Sequence, residues 1–444
     1  MLSKLQKFAY GIPRLGSSIL LDFISLTGGF IYKNFFNLDP VLTGTTIMIA
    51  KLVIAFSGFI GGYVSDRTKT KWGRRKPYLF IGAPLLAFSF IMYYLPQYFL
   101  NMSDQTVLFL YGAFFLSLFN FTYGILLTPF QAWMPEITEP RERVFISMLE
   151  NISNFFALAV SVIAGFMIPS VLEGEGIFSL TFLTFLLTVG VLEILLYLPP
   201  ILFIPREEKH VPLPSLRRAL EIVLKNRNYV LWMLAQGISS VGTTILATNV
   251  IEYVQTILNV GGFTGQLTFG VVLLVTIMAL FPVWGRIIKK KGKRFSFILC
   301  MVIMAASLPL TLIIGQVSLP ISQTIMSYIF LILVSSGLSG YHLLPYVVIA
   351  DLAEEDELKT GEPRAGMYTG FNSIPLNFFQ ALGGITWGFL MALPKIPGKT
   401  YSYGLIYWGP VVSLFLLLSI LPILKANIDP PLEEMRKKFG RSSH

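Results

Sequence analysis

Residues Gly61 to Pro77 read GGYVSDRTKTKWGRRKP and interrupt a strongly apolar chain within a few positions. The run before it, Val41 to Val64, carries one charge, Lys51, and the run after it, Tyr78 to Leu100, carries none. Between them Arg67, Lys69, Lys71, Arg74, Arg75 and Lys76 face a single anion, Asp66. A short basic loop between two spans of roughly 20 apolar residues marks the cytoplasmic side of a membrane protein. Asp66 and Arg67 end the incoming helix and Gly73 to Pro77 open the next, so the loop is placed to act as a charged latch.

The rest of the chain has the same character. Of its 444 residues 54% are hydrophobic and 13% charged, against about a quarter charged in a soluble domain. Its net charge of +10 sits in loops, which reports topology rather than nucleic-acid binding. One cysteine, Cys300, excludes an intramolecular disulfide and argues against a metal cluster. Twelve apolar stretches qualify as spans: 17–36, 41–65, 78–99, 105–133, 144–171, 177–204, 228–256, 264–288, 295–316, 321–350, 365–393 and 401–425. With the N-terminus inside, all 34 Lys and Arg except Lys33, Lys51, Lys395 and Lys399 fall on the inner side, so both termini are expected in the cytoplasm of a multi-pass cell-membrane protein.

Pro205 to Arg227 is the longest polar interruption and divides the chain near its midpoint. It predicts residues 1–204 as one six-helix bundle, 205–227 as a cytoplasmic linker, 228–425 as a second bundle and 426–444 as a cytoplasmic tail. GRIIKKKGKRF (Gly285 to Phe295) lies opposite DRTKTKWGRRK (Asp66 to Lys76) without a gap, and NFFALAVSVIAGFM (Asn154 to Met167) is similar to NFFQALGGITWGFL (Asn377 to Leu390). Such repetition predicts an all-α fold of twelve transmembrane helices, two six-helix bundles related by a pseudo-two-fold repeat, with the site near mid-membrane between them. Gly285 stands where Asp66 stands, so the second latch lacks that anion.

The order G-x-x-x-D-R-x(6)-G-R-R-x-P in the opening stretch resembles the loop between helices 2 and 3 of the major facilitator superfamily. It is in the form used by the glycoside-pentoside-hexuronide:cation symporters, the melibiose permease group. ADLAEEDELKTGEPRAG (Ala350 to Gly366) resembles the same family's loop between helices 10 and 11, and YGIPRLG (Tyr10 to Gly16) and PFQAWMPEITEPRER (Pro129 to Arg143) are also in its style. Sucrose:proton symporters carry a related G-R-R element. The resemblance implies gating roles for Asp66, Arg67, Arg74, Arg75, Asp351 and Arg364. Where the family has cation-coupling acids on helices 2 and 4, this chain has Ile54, Gly58 and Leu127. Ser18, Asn154 and Asn377 occupy the family's helix 1 acidic, helix 5 arginine and helix 11 lysine positions.

Ionisable residues inside spans are costly and point to function; here they are Asp22, Lys51, Glu150, Glu193, Glu252 and His342. Asp22 lies one turn after Ser18 and Glu150 one turn before Asn154, on the same helix faces. Lys51 is the expected partner of Asp22. His342 falls near the family's sugar-stacking aromatic, and a histidine both stacks and exchanges protons. Proton coupling is therefore assigned to Asp22, Lys51, Glu150 and His342, and substrate binding to Asp22, Asn120, Gln131, Glu150, Asn154, His342, Asn372 and Asn377, since amides both donate and accept. Gln236, Asn249 and Gln380 are further amides, and Trp133 and Trp387 further ring faces, in these spans. Glu193, among leucines and isoleucines, reads as packing, and Glu252 as a gate or an interfacial carboxylate.

The expected function is a secondary active transporter, a proton-coupled symporter of a sugar or glycoside. Alternative readings are a transporter of lysophospholipids or other amphiphiles, and a membrane sugar sensor that does not transport. No P-loop, H-E-x-x-H or G-x-S-x-G motif is present, so neither an enzyme nor a cofactor is expected. The partners are a small-molecule substrate, a co-transported cation and the bilayer.

Overall fold

The computed structural model describes residues 2–138, 140–206, 221, 223–260, 262–317, 320–361 and 365–438. Hydrocarbon offers no water to a peptide group, so each apolar stretch closes its hydrogen bonds on itself as a helix. In chain order these are α1 (Lys4–Gly11), α2 (Pro13–Asn34), α3 (Pro40–Arg67), α4 (Lys76–Tyr93), α5 (Gln105–Ile137), α6 (Pro140–Glu175) and α7 (Leu180–Phe203). The second half supplies α8 (Arg227–Thr256), α9 (Gly262–Lys291), α10 (Lys293–Ser307), α11 (Gln323–Thr360), α12 (Ala365–Met391), α13 (Gly404–Leu418), α14 (Ile420–Lys425) and α15 (Leu432–Lys438). Polar residues at the turns cap them: Asp39 Oδ1 accepts from the Val41 and Leu42 amides, and Asp104 Oδ1 from those of Thr106 and Val107. Eleven described spans are long and apolar enough to cross a membrane. Helix α12, of 27 residues and so about 40 Å long, makes the twelfth.

The two halves repeat one packing plan. Helix α2 packs on α6 and α7, α3 on α5, and α4 on α5 and α7; in the same order α8 packs on α12 and α13, α9 on α11, and α10 on α11 and α13. The seams between halves exchange under the same two-fold relation: α2 meets α8, α3 meets α12 and α6 meets α9. Even the loop conformation repeats, because Gly73 (φ 100) and Gly292 (φ 84) occupy equivalent positions, both in the left-handed region that favours glycine.

At the end carrying the basic loops, the latch has a different centre from the one expected. The guanidinium of Arg75 is fully buried: Nη2 and Nε donate to Glu136 (2.5 and 3.2 Å), Nη1 donates to Ser65 Oγ (2.5 Å), and Nη2 lies 2.7 Å from Asp66 Oδ1. Arg74 approaches Glu136 at 3.7 Å. Arg67 takes no part in this cluster; its guanidinium sits 3.4 Å from the centre of the Tyr63 ring, on the helix surface. The end of α3, the loop and the end of α5 thus meet on Arg75. Burial strengthens the attraction, and the planar fork bonds Glu136 through two nitrogens.

The second half restores the missing anion from the tail. Lys293 Nζ bonds Asp351, while Asp429, beyond α14, accepts from the Lys293 and Arg294 amides (2.7 and 3.0 Å) at the start of α10. Arg436 of α15 pairs with Glu354 at 2.6 Å. Arg364 lies outside the described residues.

Removing one member of a buried charged cluster strands the other and costs about 3–5 kcal/mol. Arg75→Met is therefore expected to lower the thermal unfolding midpoint sharply, and adding Glu136→Gln to that variant to recover part of the loss. Equal loss in the single and double variants contradicts this arrangement.

Candidate functional site

A cavity of about 660 Å³ lies between the halves. It is walled by α2, α3, α5 and α6 on one side and by α8, α9, α11 and α12 on the other. The end away from the basic loops is closed. There α3 and α12 approach through glycines: a Cβ on Gly44 would meet Gly384 O at 2.6 Å and Gly388 Cα at 2.8 Å. Backbones come this close only where side chains are absent. On the α2–α8 seam Lys33 pairs with Glu252, which also accepts from Asn34 at 3.2 Å. On the α6–α9 seam Phe166 packs edge-on against Phe269, and Ser170 donates to Gln266 (2.6 Å). Toward the other end the lining reaches Ala350 and Ala353, on either side of the Lys293 partner Asp351. The cavity therefore extends toward the basic end.

Much of the wall is apolar, with Leu21, Ile24, Leu158, Val162 and Ile277 among its residues. Its polar groups converge from both halves: Asp22, Lys51 and Asn120 from the first, Gln236, His342, Asn372 and Gln380 from the second. Three of the amides are more than nine-tenths buried and carry an oxygen without a hydrogen-bond partner: Asn120 Oδ1, Gln236 Oε1 and Asn372 Oδ1. Asn120 is oriented by its own helix, since its Nδ2 donates to Leu116 O (2.8 Å) and leaves the oxygen free. A buried acceptor without a partner costs roughly 1–3 kcal/mol. Three around one cavity, one from the first half and two from the second, fit a ligand that donates hydrogen bonds.

The structure brings Asp22, Lys51, Asn120, His342 and Asn372 to this cavity as the sequence predicts, and His342 is exposed to it. Asp22 and Lys51 face the same space without a direct ion pair, because α3 packs chiefly on α5 and α12 rather than on α2. Gln131 is exposed at the end of α5, off the cavity. Asn377 also lies off it, its Nδ2 donating to Ser373 O one turn back (2.8 Å). Glu150 and Asn154 sit on the α2–α6 seam, where Asn154 Oδ1 accepts from Arg14 Nε (3.0 Å) and Ser18 Oγ (2.7 Å). Trp133 and Trp387 are fully buried and stack on no cavity space; the Trp387 indole donates to Asn249 Oδ1 (3.3 Å). Glu193 is not alone among apolar residues, since its Oε1 accepts from Ser17 Oγ (2.8 Å), which also meets the Tyr197 hydroxyl (3.0 Å).

Sequence reasoning missed Arg14, which precedes the apolar stretch 17–36, and Glu136 and Asp429, whose partners are distant in sequence. Gln236 was grouped with the other amides and shows its importance only through its free oxygen.

Residues 5–424 match the model of a family described as MFS/sugar transport protein. The isoprimeverose transporter of Lactiplantibacillus pentosus is 23% identical over 404 residues, covering 87% of this chain and 80% of that relative. The glucuronide carrier protein homolog of Escherichia coli (strain K12) is 24% identical over 430 residues, covering 92% and 90%. Among solved structures, the inward-open xylose transporter XylE from E. coli superposes with a TM-score of 0.66 at 14% identity, covering 97% of this chain and 98% of that one.

An acceptor kept for a ligand contributes nothing to folding. Asn372→Leu or Gln236→Leu is expected to leave the unfolding midpoint unchanged or raised, whereas Asn249→Leu, which strands the Trp387 indole, lowers it. Comparable losses in all three would show that the cavity amides are structural.

Proposed function

From the premise that the chain belongs to the MFS/sugar transport protein family, we propose that it carries a sugar or glycoside together with a proton by alternating access of its two halves. The observation that supports this reading best is the set of free amide oxygens on Asn120, Gln236 and Asn372, contributed from both halves around Asp22. Sugar hydroxyls are donors at many points of a compact ring, and acceptors divided between two bodies let the ligand hold both at once. One relative is named for isoprimeverose and another as a homolog of a glucuronide carrier, and both compounds are glycosides. The cavity volume falls within the usual range for small-molecule sites, about 300–1,000 Å³.

Coupling to a proton follows from the side chains available. Sodium needs several oxygen ligands converging on one point, and Ile54, Gly58 and Leu127 supply none where the melibiose permease group has acids. A proton needs one group whose charged form is favoured in one state and disfavoured in the other. Asp22 meets this condition, with Lys51 on the same cavity and its surroundings set by the position of the second half. The basic end is then the cytoplasmic side, and this is an inward-facing state of a cell-membrane transporter.

Proteoliposomes given radiolabelled isoprimeverose are expected to accumulate it when the lumen is alkaline, because protons entering down their gradient bring the sugar with them. Reversing the gradient is expected to deplete it. Asp22→Asn, which mimics a permanently protonated acid, is expected to abolish this accumulation and retain exchange at equal concentrations. Accumulation on a sodium gradient at fixed pH, with no response to a pH gradient, refutes proton coupling. Uptake of lysophospholipid and of no sugar refutes the substrate class.

A further inference from the structure

One strip of the cavity is wholly apolar. Among the described residues α6 lends the cavity Leu158, Val162 and Phe166, and α9 lends it Leu273 and Ile277, while every acid, amide and cation on the cavity comes from other helices. Helix α6 is not short of polar side chains, but they are turned onto the first two helices. Ser153 donates to Gly11 O (3.1 Å), Asn154 accepts from Arg14 and Ser18, and Ser161 donates to Ile19 O (3.1 Å). On α9, Thr268 and Thr276 each donate to a carbonyl one turn back (2.7 Å), and Gln266 accepts from Ser170.

The strip has defined ends. Phe155 and Phe281 meet with ring centres 5.1 Å apart toward the basic end, and Phe166 and Phe269 at 5.6 Å toward the closed end. These two pairs set α6 and α9 antiparallel, which brings Val162 level with Leu273 and Leu158 level with Ile277. The helix between Phe155 and Phe166 is about 16 Å long. Leu158 and Leu273 are only half-buried and both line the cavity, so each half leaves hydrocarbon open to it. Residues that served only to pack α6 on α9 would cover one another.

We infer that this strip is a subsite for the apolar aglycone of a glycoside, so that the ligand is amphipathic: a sugar held by the amide oxygens of Asn120, Gln236 and Asn372, and an apolar group laid between α6 and α9. The inference deepens the sugar-transport reading and rests on it. A free sugar carries hydroxyls around its whole ring and would press some of them against Leu158, Val162, Leu273 and Ile277, none of which can accept, and a buried donor without a partner is costly. An apolar group in the same place removes hydrocarbon on both surfaces from water. The phenylalanine pairs close the seam at both ends of the strip, which suits a short alkyl chain or a single aromatic ring. Such a group touches Leu158 of the first half and Leu273 of the second, as the sugar touches amides of both.

Binding of methyl, propyl, butyl and hexyl glucosides and xylosides to the protein in lipid nanodiscs, measured by calorimetric titration, tests this. The dissociation constant is expected to fall about threefold for each methylene added. Leu158→Asn and Leu273→Asn are expected to cut the hexyl-to-methyl affinity ratio about tenfold or more, whereas Asn372→Leu is expected to weaken methyl and hexyl glycosides by the same factor. Partition of the longer chains into nanodisc lipid is common to wild type and variants and cancels in that comparison. Where the asparagine variants do not fold, Leu158→Ala and Leu273→Ala carry the comparison. A hexyl-to-methyl ratio near one in the wild type, or a ratio that the Leu158 and Leu273 variants leave unchanged, overturns the inference and leaves the sugar reading standing. Binding of lysophospholipid and of none of the glycosides refutes the sugar reading itself, and the aglycone subsite falls with it.

Discussion

The buried guanidinium of Arg75 is the interaction on which the first half depends, because it joins three chain segments that the bilayer alone would leave free to slide. Apolar helices in lipid gain little from meeting one another, so polar anchors at their ends and close backbone contacts along their lengths must set their positions. Arg75 does the first with Glu136, Asp66 and Ser65. The second half is tied by another route, with Lys293, which stands opposite Arg74, bonding Asp351, and the tail aspartate Asp429 seated on the first amides of α10. A carboxylate at a helix N-terminus meets free amides and the positive end of the helix dipole. Each half is thereby tied together at its basic end, and the proposed alternating access places the motion at the seams between them.

Those seams are built to part. Along α3 and α12 backbone meets backbone at Gly44 and Gly388, and the Ile47 side chain rests on Gly384. The Lys33–Glu252 pair is partly buried, so separating its members returns both to water and recovers much of the lost attraction. States that differ by such modest terms can be close in free energy, and a ligand shifts them only by its differential affinity. In the proposed alternating access, acceptor oxygens on α5 of one half and on α8 and α12 of the other would give a ligand that differential.

The architecture was legible because hydropathy and loop charge act over whole spans. The repeat of Asp66–Lys76 in Gly285–Phe295 carried through to matched glycine conformations at Gly73 and Gly292. Cavity residues were legible where one polar group interrupts an apolar helix, as with Asp22, Asn120, His342 and Asn372. The readings that changed all depended on tertiary pairing. Arg75 rather than Arg67 anchors the latch because the helix turns Arg67 outward onto Tyr63, and neighbouring cations in a loop are indistinguishable in sequence. Asp429 lies 136 residues from Lys293, and nothing local marks it as the replacement for the aspartate absent at Gly285. Arg14 precedes the apolar stretch 17–36 and so is not counted among the ionisable residues inside spans, yet it belongs to the helix and donates to Asn154 across the α2–α6 seam. Asn377 appeared suited to a ligand until its amide was found bonded within its own turn.

The central claim is that two rigid halves rock about one cavity, so that one end closes as the other opens. Distance measurement between spin labels tests it directly, and the only cysteine, Cys300, is buried and leaves the introduced sites to take the label. Ser103 and Lys399 are exposed at the closed end, and Lys69 and Lys359 at the basic end. Adding isoprimeverose together with a change of pH is expected to lengthen the Ser103–Lys399 distance and shorten the Lys69–Lys359 distance in the same population of molecules. Two distances that rise together, fall together or stay fixed while transport proceeds would contradict the account.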